Sequence, residues 1–343
     1  MLKLDFKPYT LQLKHVFRIS RGARSSTPVM LVRISFDGIE GYGEASMPPL
    51  YGESFVTASE FLSKIDFSGF RDPFATETIL AYVDRLAPGN TAAKAAVDIA
   101  LHDLVGKLLK IPVRQLFGLP AAENHTCMTI YIDSPEVMAG RANEYRRFKY
   151  LKIKLGAGDD RAIIKSVRSV TDQPLFVDAN QGWNNKEEAL DFIWWLKEQN
   201  VVFIEQPMLK ENKKDLTWLS ERSPLPVIGD EGIQRLSDLR EASSIYHGVN
   251  IKLVKSTGLR EAFKMAVAAR VLGMKVMVGC MSETSCAISA AAQLGALTDW
   301  LDLDGNLEIR NDPFSGVKEQ NGQQVPNDLP GIGLVNPHWE EIL

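Results

Sequence analysis

The sequence has little of what marks secreted, membrane-spanning or nucleic-acid-binding proteins. Its three cysteines, Cys127, Cys280 and Cys286, form neither a CxxC pair nor an even set for disulfide bonds. The N-terminus lacks an apolar core of signal-peptide length, and no apolar run approaches the length of a membrane span. Because 39 basic and 43 acidic residues give a net charge of only −4, no strong field attracts nucleic acid or membrane surfaces. We therefore expect a soluble cytoplasmic protein with reduced cysteines, no nucleic-acid partner and no membrane partner.

The first third of the chain, residues 1–122, has the pattern of an α+β module. Alternating apolar residues in LQLKHVFRIS and VMLVRISFDG predict strands, and the polar, basic segment at residues 19–28 between them predicts a mobile loop. The later stretch NTAAKAAVDIALHDLVGKLLK predicts a long helix, for which Asn90 is the expected N-cap residue.

After residue 122, eight short apolar runs alternate with helix-like segments up to residue 305. These runs are CMTIYI, YLKIKL, PLFVDA, VVFIEQ, PVIGDE, GVNIKL, KVMVGC and WLDLDG. Eight strands at nearly constant spacing, most of them followed by a helix, predict an α/β fold of the parallel barrel type. A doubly wound open sheet is the alternative, and the regular spacing favours the closed barrel.

Charged or polar residues recur where these apolar runs end, which is the end of such a barrel that carries its chemistry. They are Lys154, Asp178, Glu205, Asp230, Lys252, the segment Cys280–Glu283, Asp302 and Asp304. Any one of them alone is compatible with a solvated strand end. Their recurrence in consecutive units predicts a functional site.

Three consecutive carboxylates, Asp178, Glu205 and Asp230, predict a site for a hard divalent cation. Three such oxygens with open positions suit Mg²⁺, which keeps water or substrate oxygens in its octahedron. No histidine or cysteine lies among them, which argues against zinc. A network of salt bridges to neighbouring lysines is the alternative explanation of the same residues.

Lysines flank this carboxylate trio on the second and sixth predicted strands. Lys152 and Lys154 alternate with Leu151 and Ile153, so both ammonium groups share one strand face. In a closed ring of eight, the second strand lies opposite the sixth, which carries Lys252. A lysine acts as a base when its pKa falls toward neutrality, and a nearby cation and partial burial both act in that direction.

This arrangement suits proton transfer at a carbon next to a carboxylate. Removing that weakly acidic proton places negative charge on the carboxylate oxygens, and Mg²⁺ with Lys152 would stabilise the resulting enediolate. Lys154 on one face and Lys252 on the other can exchange the roles of base and acid. Two opposed lysines therefore predict 1,1-proton transfer, which inverts a stereocentre.

The same residues resemble motifs of the enolase superfamily, specifically of its muconate-lactonizing-enzyme subgroup. KIK at Lys152–Lys154 resembles the KxK motif, and VDAN, IEQP and GDE resemble the three metal-ligand strands. NIKLVKSTG carries the opposing lysine, and AAKAAVDIALHDLVGK followed by PVRQLFG resembles the helix at the domain junction. The resemblance covers nearly the whole chain. It implies a modified TIM barrel, (β/α)7β, at residues 123–305, with an α+β capping domain formed by residues 1–122 and the returning segment 306–343.

The stretch WLDLDG narrows the resemblance to the dipeptide epimerases of that subgroup. Asp302 and Asp304 resemble their DxD motif, which implies that the two aspartates hold the α-ammonium group of a dipeptide while Mg²⁺ and Lys152 hold its carboxylate. The implied enzyme is a Mg²⁺-dependent isomerase of the EC 5.1.1 type that inverts the α-carbon of the C-terminal residue. The alternative for Asp304, which precedes Gly305, is a structural cap of the following loop.

Further residues are weaker candidates for the site. Those expected to contact substrate are Thr129, Arg24 and Ser282, and those expected to support the metal ligands from behind are Asn180, Gln206 and Glu283. Candidates for the specificity pocket, through loops of the capping domain, are Phe17, Ile19 and Tyr51. Cys280, with no histidine near it in sequence, is expected to pack rather than to act as a nucleophile.

The sequence leaves the substrate and some alternatives open. Arg18, Arg21 and Arg24 favour an acidic second side chain in the dipeptide, whereas Phe17 and Ile19 favour an apolar one. Small or apolar dipeptides such as Ala-Ala or Ala-hydrophobic are preferred here, with Ala-Glu as the close rival. The alternatives are a cycloisomerase, an N-acylamino acid racemase or an o-succinylbenzoate synthase, or a non-catalytic barrel that binds a ligand. The expected partner is a small-molecule dipeptide, and a homo-oligomer is compatible with the sequence.

Overall fold

The computed structural model describes residues 1–20 and 22–342. The chain begins with an antiparallel sheet formed by β1 (Lys3–Ile19), β2 (Gly22–Phe36) and β3 (Ile39–Ser46). A 3-10 helix at Pro49–Tyr51 comes next, and the helices that follow are α1 (Phe55–Leu62), α2 (Thr76–Arg85), α3 (Thr91–Leu109) and α4 (Val113–Leu116). This first part matches the predicted α+β module.

The middle of the chain forms a parallel barrel. The short strand β4 (Asn124–His125) precedes it, and the barrel strands are β5 (Cys127–Ile130), β6 (Tyr150–Lys154), β7 (Leu175–Asp178), β8 (Val201–Glu205), β9 (Val227–Gly229), β10 (Gly248–Lys252), β11 (Lys275–Gly279) and β12 (Trp300–Asp302). The connecting helices are α5 (Pro135–Glu144), α6 (Asp160–Arg168), α7 (Lys186–Glu198), α8 (Lys213–Arg222), α9 (Leu239–Ala242), α10 (Leu259–Val271) and α11 (Ser285–Ala292), with 3-10 turns at Leu236–Asp238 and Gly295–Leu297.

The barrel strands pair in chain order and close into a ring. The eight strands form one parallel sheet from β5 to β12, and a parallel bridge between Thr126 and Leu301 joins its two edges. Seven strand–helix units and a final strand make the (β/α)7β arrangement. The predicted fold is therefore confirmed, and the open sheet is not found.

The chain beyond the barrel returns to its first part. The strands β13 (Lys318–Gln320) and β14 (Gln323–Val325) form a small sheet with β4, and a 3-10 helix lies at Trp339–Glu341. Lys7 Nζ donates to the Trp339 carbonyl at 3.0 Å, and the Tyr9 hydroxyl donates to the Asn311 carbonyl at 2.7 Å. These contacts agree with a capping unit built from both chain ends, and the domain boundaries at residues 122 and 305 stay a prediction.

The barrel interior is apolar at one end and charged at the other. Phe176 on β7 and Phe203 on β8 stack at 4.3 Å between ring centroids in the lower layer. Because side chains two residues apart share a strand face, Asp178 and Glu205 lie in the layer above them. The aromatic layer therefore fills the lower part of the barrel, and the polar side chains lie above it at the C-terminal mouth.

Helix α3 is buried on every side between the first sheet and the barrel. Gly41 and Gly43 of β3 allow its close approach, since an added Cβ would lie 2.1 Å from the Ala100 carbonyl oxygen and 1.9 Å from that of Ala96. This packing explains the alanine-rich sequence of the helix, because small side chains let the backbones approach.

No helix in the described part of the chain is both long and apolar enough to cross a membrane.

The loop predicted at residues 19–28 is wrong. Apart from Ser20 and from Arg21, which lies outside the described residues, the segment belongs to a long two-stranded ribbon, in which Phe17 pairs with Arg24 and Ile19 with Gly22. The ribbon extends beyond the helix-covered part of the sheet, so its residues need no apolar alternation. The sequence pattern of a half-buried strand is absent there for that reason.

The predicted N-cap position of helix α3 is confirmed, but the capping hydrogen bonds come from another residue. Asn90 occupies the N-cap position with a left-handed φ of 50°, and its side chain makes no cap hydrogen bond. Glu53 caps the helix instead, because its Oε1 accepts from the Ala92 N–H at 2.9 Å and its Oε2 from the Ala93 N–H at 3.2 Å. The cap comes from a residue distant in sequence, which a local motif cannot reveal.

Candidate active site

Three carboxylates meet at the C-terminal mouth of the barrel. Asp178 ends β7, Glu205 ends β8 and Asp230 directly follows β9. One oxygen from each lies within 4.8 Å of the others, and none of the three residues is more than 1% exposed. The structure thus brings together the trio that the strand spacing predicts.

Each of these carboxylates has one oxygen held by a neighbouring donor. Asp178 Oδ1 accepts from the Asn180 N–H at 2.9 Å, Glu205 Oε1 from Asn250 Nδ2 at 2.8 Å, and Asp230 Oδ1 from Lys255 Nζ at 2.6 Å. These donors fix the rotation of each carboxylate, so that its second oxygen is directed toward the barrel axis.

The second oxygens face lysines. Lys154 Nζ lies 2.6 Å from Asp178 Oδ2, Lys152 Nζ lies 2.7 Å from Glu205 Oε2, and Lys252 Nζ lies 2.8 Å from Asp230 Oδ2. Glu205 Oε2 is buried and has no partner of hydrogen-bond geometry, despite the short distance to Lys152. A buried carboxylate oxygen without a hydrogen bond is a position that a cation can fill.

The donor set fits a hard divalent cation. Burial and the charge of Asp178 raise the pKa of Glu205 to about 7, although Lys152 acts in the opposite direction. The trio is therefore short of positive charge at Glu205. Three carboxylate oxygens, buried and free of nitrogen or sulfur ligands, are a donor set that suits Mg²⁺.

The lysines come from opposite walls of the barrel. Strand β6 carries Lys152 and Lys154, and strand β10 carries Lys252. Three strands separate β6 from β10 on each side of the ring, as the sequence predicts. Burial is the largest single effect and lowers the pKa of Lys252, but Asp230, Tyr51 and Glu205 together raise that pKa well above its ordinary value.

The two aspartates near the end of the barrel differ in their surroundings. Asp302 ends β12, and its Oδ2 lies 2.7 Å from Lys152 Nζ. Asp304 lies two residues beyond the strand, and its Oδ2 accepts from the Thr129 N–H at 2.6 Å. Burial and the charge of Asp302 raise the pKa of Asp304 to about 6. Asp302 is thus paired with a lysine, whereas Asp304 forms no ion pair in the described part of the chain.

A cavity connects these charged groups to the two-stranded ribbon formed by the end of β1 and the start of β2, here called the capping ribbon. Its lining includes the three lysines, both aspartates and the predicted candidates Phe17, Ile19, Arg24, Tyr51, Thr129 and Ser282. Arg18 is exposed outside this lining, and Arg21 lies outside the described residues. Cys280 also borders the cavity, and burial raises the pKa of its thiol well above the ordinary value, which agrees with a packing role.

Among the described residues of the capping ribbon, Arg24 is the cation that borders this cavity. Its guanidinium lies 3.8 Å from the centre of the Phe17 ring, and it donates to Thr27 Oγ1 at 3.0 Å and to Ser282 Oγ at 3.3 Å. Among the residues that the structure describes, no carboxylate forms an ion pair with it. Burial lowers the pKa of Arg24 to about 10, as expected for a cation that lacks a counter-charge.

The capping sheet also fixes the loop after β11, which contains Ser282 and Glu283. Glu44 on β3 accepts two hydrogen bonds from the Thr284 N–H, at 3.0 and 3.1 Å, and the Ser46 hydroxyl donates to the Ser282 carbonyl at 2.8 Å. These contacts hold one wall of the cavity against the cap.

Two of the predicted supporting residues contact metal-ligand segments directly. The Gln206 side-chain carbonyl accepts from the Asp230 N–H at 3.0 Å, and the Asn180 amide donates to Glu231 at 3.2 Å. Glu283 is turned back toward its own loop, where it accepts from the Met281 N–H at 3.2 Å.

Sequence reasoning missed several buried residues of the site. They are Lys255, Asn250, Glu231 and Tyr131. A weak local signal exists for Lys255, which lies three residues after Lys252 in NIKLVKSTG, and for Glu231, which follows Asp230 in GDE. Asn250 and Tyr131 carry no such signal, because their partners come from other strands.

Comparison with known proteins gives matches along most of the chain. Residues 8–118 match the mandelate racemase / muconate lactonizing enzyme N-terminal domain, and residues 137–336 match the enolase C-terminal domain-like model. An L-Ala-D/L-Glu epimerase from Bacteroides thetaiotaomicron is 52% identical over 336 residues, which cover 97% of this chain and 88% of that protein.

Solved structures give the same result. The substrate-liganded L-Ala-D/L-Glu epimerase from Bacillus subtilis superposes with a TM-score of 0.92 at 28% identity, covering 97% of this chain and 98% of the other. A dipeptide epimerase from Enterococcus faecalis, complexed with Mg and L-Leu-L-Tyr, gives 0.91 at 30% identity, covering 96% and 98%. The predicted enzyme class, an isomerase of the epimerase type, is confirmed by these relatives. Both domain matches assign the chain to one family: it belongs to the mandelate racemase / muconate lactonizing enzyme group of the enolase superfamily.

Proposed function

We propose that this protein is a Mg²⁺-dependent dipeptide epimerase that inverts the α-carbon of the C-terminal residue. The observation that carries the proposal is the placement of Lys154 and Lys252 on opposite walls, with the carboxylate trio between them. The names of its relatives agree with this activity, and two of the similar structures hold a substrate or a dipeptide.

Asp178, Glu205 and Asp230 would hold the Mg²⁺ ion through the oxygens that face the barrel axis. When bound, the ion supplies positive charge beside the carboxylate of the substrate and so favours loss of the adjacent proton. The donors behind the trio keep these oxygens in place before the ion arrives. A preorganised site of this kind needs little rearrangement during the reaction.

Lys154 and Lys252 handle the proton. With one configuration of the substrate, one lysine removes the α-proton and the other returns a proton to the opposite face; with the other configuration the roles are exchanged. Lys152 lies between Glu205 and Asp302, at 2.7 Å from each. From there its ammonium can stabilise the negative charge that develops on the substrate carboxylate.

Asp302 and Asp304 bind the α-ammonium group at the other end of the dipeptide. Both border the cavity, and Thr129, whose N–H holds Asp304, lies beside them. Asp302 and Asp304 are both buried, and the one lysine beside them, Lys152, is shared with the carboxylate trio. The negative charge that remains can be compensated by an ammonium group of the substrate. The substrates of cycloisomerases and N-acylamino acid racemases lack this group, so the pair favours a dipeptide.

The substrate is of the L-Ala-L-Glu type. Arg24 places a half-buried guanidinium beside the cavity, and no carboxylate among the described residues pairs with it. A glutamate side chain would supply that partner in a bidentate, charge-assisted contact. This assignment differs from the sequence-based preference for small or apolar dipeptides, for which Phe17 is a reason. In the structure the guanidinium of Arg24 lies over the Phe17 ring.

The proposal is tested by proton NMR of L-Ala-L-Glu, L-Ala-L-Ala and L-Ala-L-Leu in D₂O with the protein and Mg²⁺. We expect deuterium to enter the second α-carbon and the L,D-dipeptide to appear, fastest for L-Ala-L-Glu. Absence of deuterium uptake with all three would overturn the epimerase. Faster turnover of L-Ala-L-Leu would overturn only the assignment of an acidic substrate.

A further inference from the structure

Lys255 is a buried cation directly behind one of the proposed metal ligands. It lies three residues after Lys252, in the turn that follows β10, and only 2% of the residue is exposed. Its Nζ donates to four oxygens, which are Asp230 O at 2.6 Å, Asp230 Oδ1 at 2.6 Å, Ile233 O at 3.0 Å and Asn250 O at 3.0 Å. A buried ammonium with this many acceptors has little freedom to move.

These contacts tie the segment after β9 to strand β10. The carbonyls of Asp230 and Ile233 belong to one turn, in which the Ile233 N–H also donates to the Asp230 carbonyl at 3.2 Å. The carbonyl of Asn250 belongs to β10, and the side chain of Asn250 donates to Glu205 Oε1. Lys255 therefore determines where the backbone of Asp230 lies with respect to a second member of the trio.

The Lys255 ammonium also fixes which carboxylate oxygen of Asp230 faces the proposed metal site. Because Oδ1 is bonded to Lys255, Oδ2 remains directed toward Lys252 and the barrel axis. The corresponding oxygens of Asp178 and Glu205 are held by neutral N–H groups, from the Asn180 backbone and the Asn250 amide. Asp230 is thus the member of the trio in which the oxygen away from the barrel axis is held by a buried charge.

We propose that Lys255 is a positioning residue that orients Asp230 for binding of a divalent cation. The inference rests on the metal site of the proposed function, and it assigns a task to a lysine that the proton-transfer mechanism does not use. Partners behind a metal ligand commonly change metal affinity about 10- to 100-fold when they are removed.

The test is metal binding by the purified protein, measured with Mn²⁺ as the probe, because Mn²⁺ shares the oxygen-ligand preference of Mg²⁺. Electron paramagnetic resonance counts the free ion during a titration and requires no turnover. The variant is Lys255→Met, which keeps most of the side-chain volume and loses the ammonium. We expect its dissociation constant for Mn²⁺ to be about tenfold or more higher than that of the wild type.

Lys94→Met is the matched control. Lys94 is also a buried lysine, 3% exposed, and it donates to the carbonyls of Asp84 and Ala87 and to Asp84 Oδ1. It lies on α3 and touches no member of the carboxylate trio. Its replacement removes a comparable set of buried hydrogen bonds, and we expect the affinity for Mn²⁺ to stay within about twofold of the wild type because none of its partners supports a metal ligand.

The outcomes separate this inference from the proposed function. A Lys255→Met protein that binds Mn²⁺ like the wild type would overturn the inference alone, and so would equal weakening in Lys94→Met, which would indicate general destabilisation. A wild type that binds no Mn²⁺ would overturn the proposed metal site together with the inference. If Lys255→Met does not yield folded protein by circular dichroism, Lys255→Gln, which keeps a donor but not the charge, is judged by the same criteria.

Discussion

Asp304 is the single residue at which a structural and a substrate-binding role can be separated. Its Oδ2 accepts from the Thr129 N–H, and an Asp304→Asn variant keeps an oxygen for that bond while losing the charge. We expect the KM for L-Ala-L-Glu to rise about tenfold or more, since hydrogen bonds to charged groups contribute about 1.5–3 kcal/mol. Steady-state kinetics measure this, and an unchanged KM would return Asp304 to the role of a loop cap.

Arg24 is the residue on which the choice of substrate depends. Replacing it by methionine removes the guanidinium but keeps an apolar contact with Phe17. We expect kcat/KM for L-Ala-L-Glu to fall about 10- to 100-fold, because a charge-assisted hydrogen bond is lost. The value for L-Ala-L-Met should not fall.

Arg18→Met provides the control for Arg24→Met. Arg18 lies on the same ribbon, is exposed and does not border the cavity. A similar loss of activity in both variants would show that the net charge of the ribbon matters rather than a contact of Arg24 with the substrate.

At the residue scale, the sequence predicts the groups whose position follows from local periodicity. Lys152 and Lys154 share a face because a strand alternates, and the carboxylate trio recurs at successive strand ends. The sequence does not predict the roles of Lys255 and Asn250, because these depend on partners 22 to 45 residues away. Sequence spacing does not show which carboxylate oxygen such a donor will meet.

At the scale of elements, the start of helix α3 gives a direct test of the cap. Glu53 accepts the first free N–H groups of the helix, whereas the left-handed Asn90 does not. We expect Glu53→Ala to lower the free energy of unfolding by about 1 kcal/mol, the usual effect of losing a cap. Urea unfolding measures the change.

The matched variant is Asn90→Gly. Glycine adopts a positive φ readily, so this change should alter the free energy of unfolding by no more than about 0.5 kcal/mol. A loss in Asn90→Gly larger than that in Glu53→Ala would restore Asn90 as the residue that stabilises the helix start.

The sequence predicts the barrel strands and the first strand of the capping ribbon, but not the start of the second strand at residues 22–28. Each barrel strand is buried on both faces and reads as a short apolar run bounded by polar residues, such as β7 and β8. Residues 22–28 of the capping ribbon pair with one partner strand, β1, and remain partly exposed, so backbone hydrogen bonds form this strand without an apolar pattern.

At the scale of the whole molecule, helix α3 joins the cap to the barrel through a titratable pair. Asp98 Oδ1 accepts from the Leu259 N–H at 2.6 Å, at the start of α10, and lies 3.2 Å from His102 Nδ1. Burial lowers the pKa of His102, and Asp98 raises it more, so the net change is upward. The stabilising contribution is therefore complete below the unfolded-state pKa of about 6.5 and is lost as pH rises through the folded-state value.

Urea unfolding of His102→Gln against the wild type measures this contribution. We expect the wild type to be favoured most near pH 5.5 and progressively less toward about pH 8.5, by about 1.4 kcal/mol for each unit of upward shift. His247 provides the opposite case, because burial lowers its pKa. The wild type should therefore lose stability relative to His247→Gln as pH falls. Differences that do not change with pH in either pair would contradict these assignments.

The closed ring is the feature of the whole molecule on which the chemistry depends. Strand count and spacing predicted the ring, and the ring places Lys154 and Lys252 on opposite walls. The sequence does not predict the conformation of the capping ribbon around Arg24, because it depends on a contact with Ser282, which lies in the loop after β11.

Solvent deuterium exchange in Lys154→Met and Lys252→Met tests that arrangement most directly. We expect each variant to lose epimerisation of L-Ala-L-Glu by at least about a thousandfold, as when a general acid or base is removed. Each should still exchange the second α-proton of one configuration, L,L or L,D, and the two variants should retain opposite configurations. Exchange retained for the same configuration in both variants would place the two lysines on one side of the substrate and contradict the account.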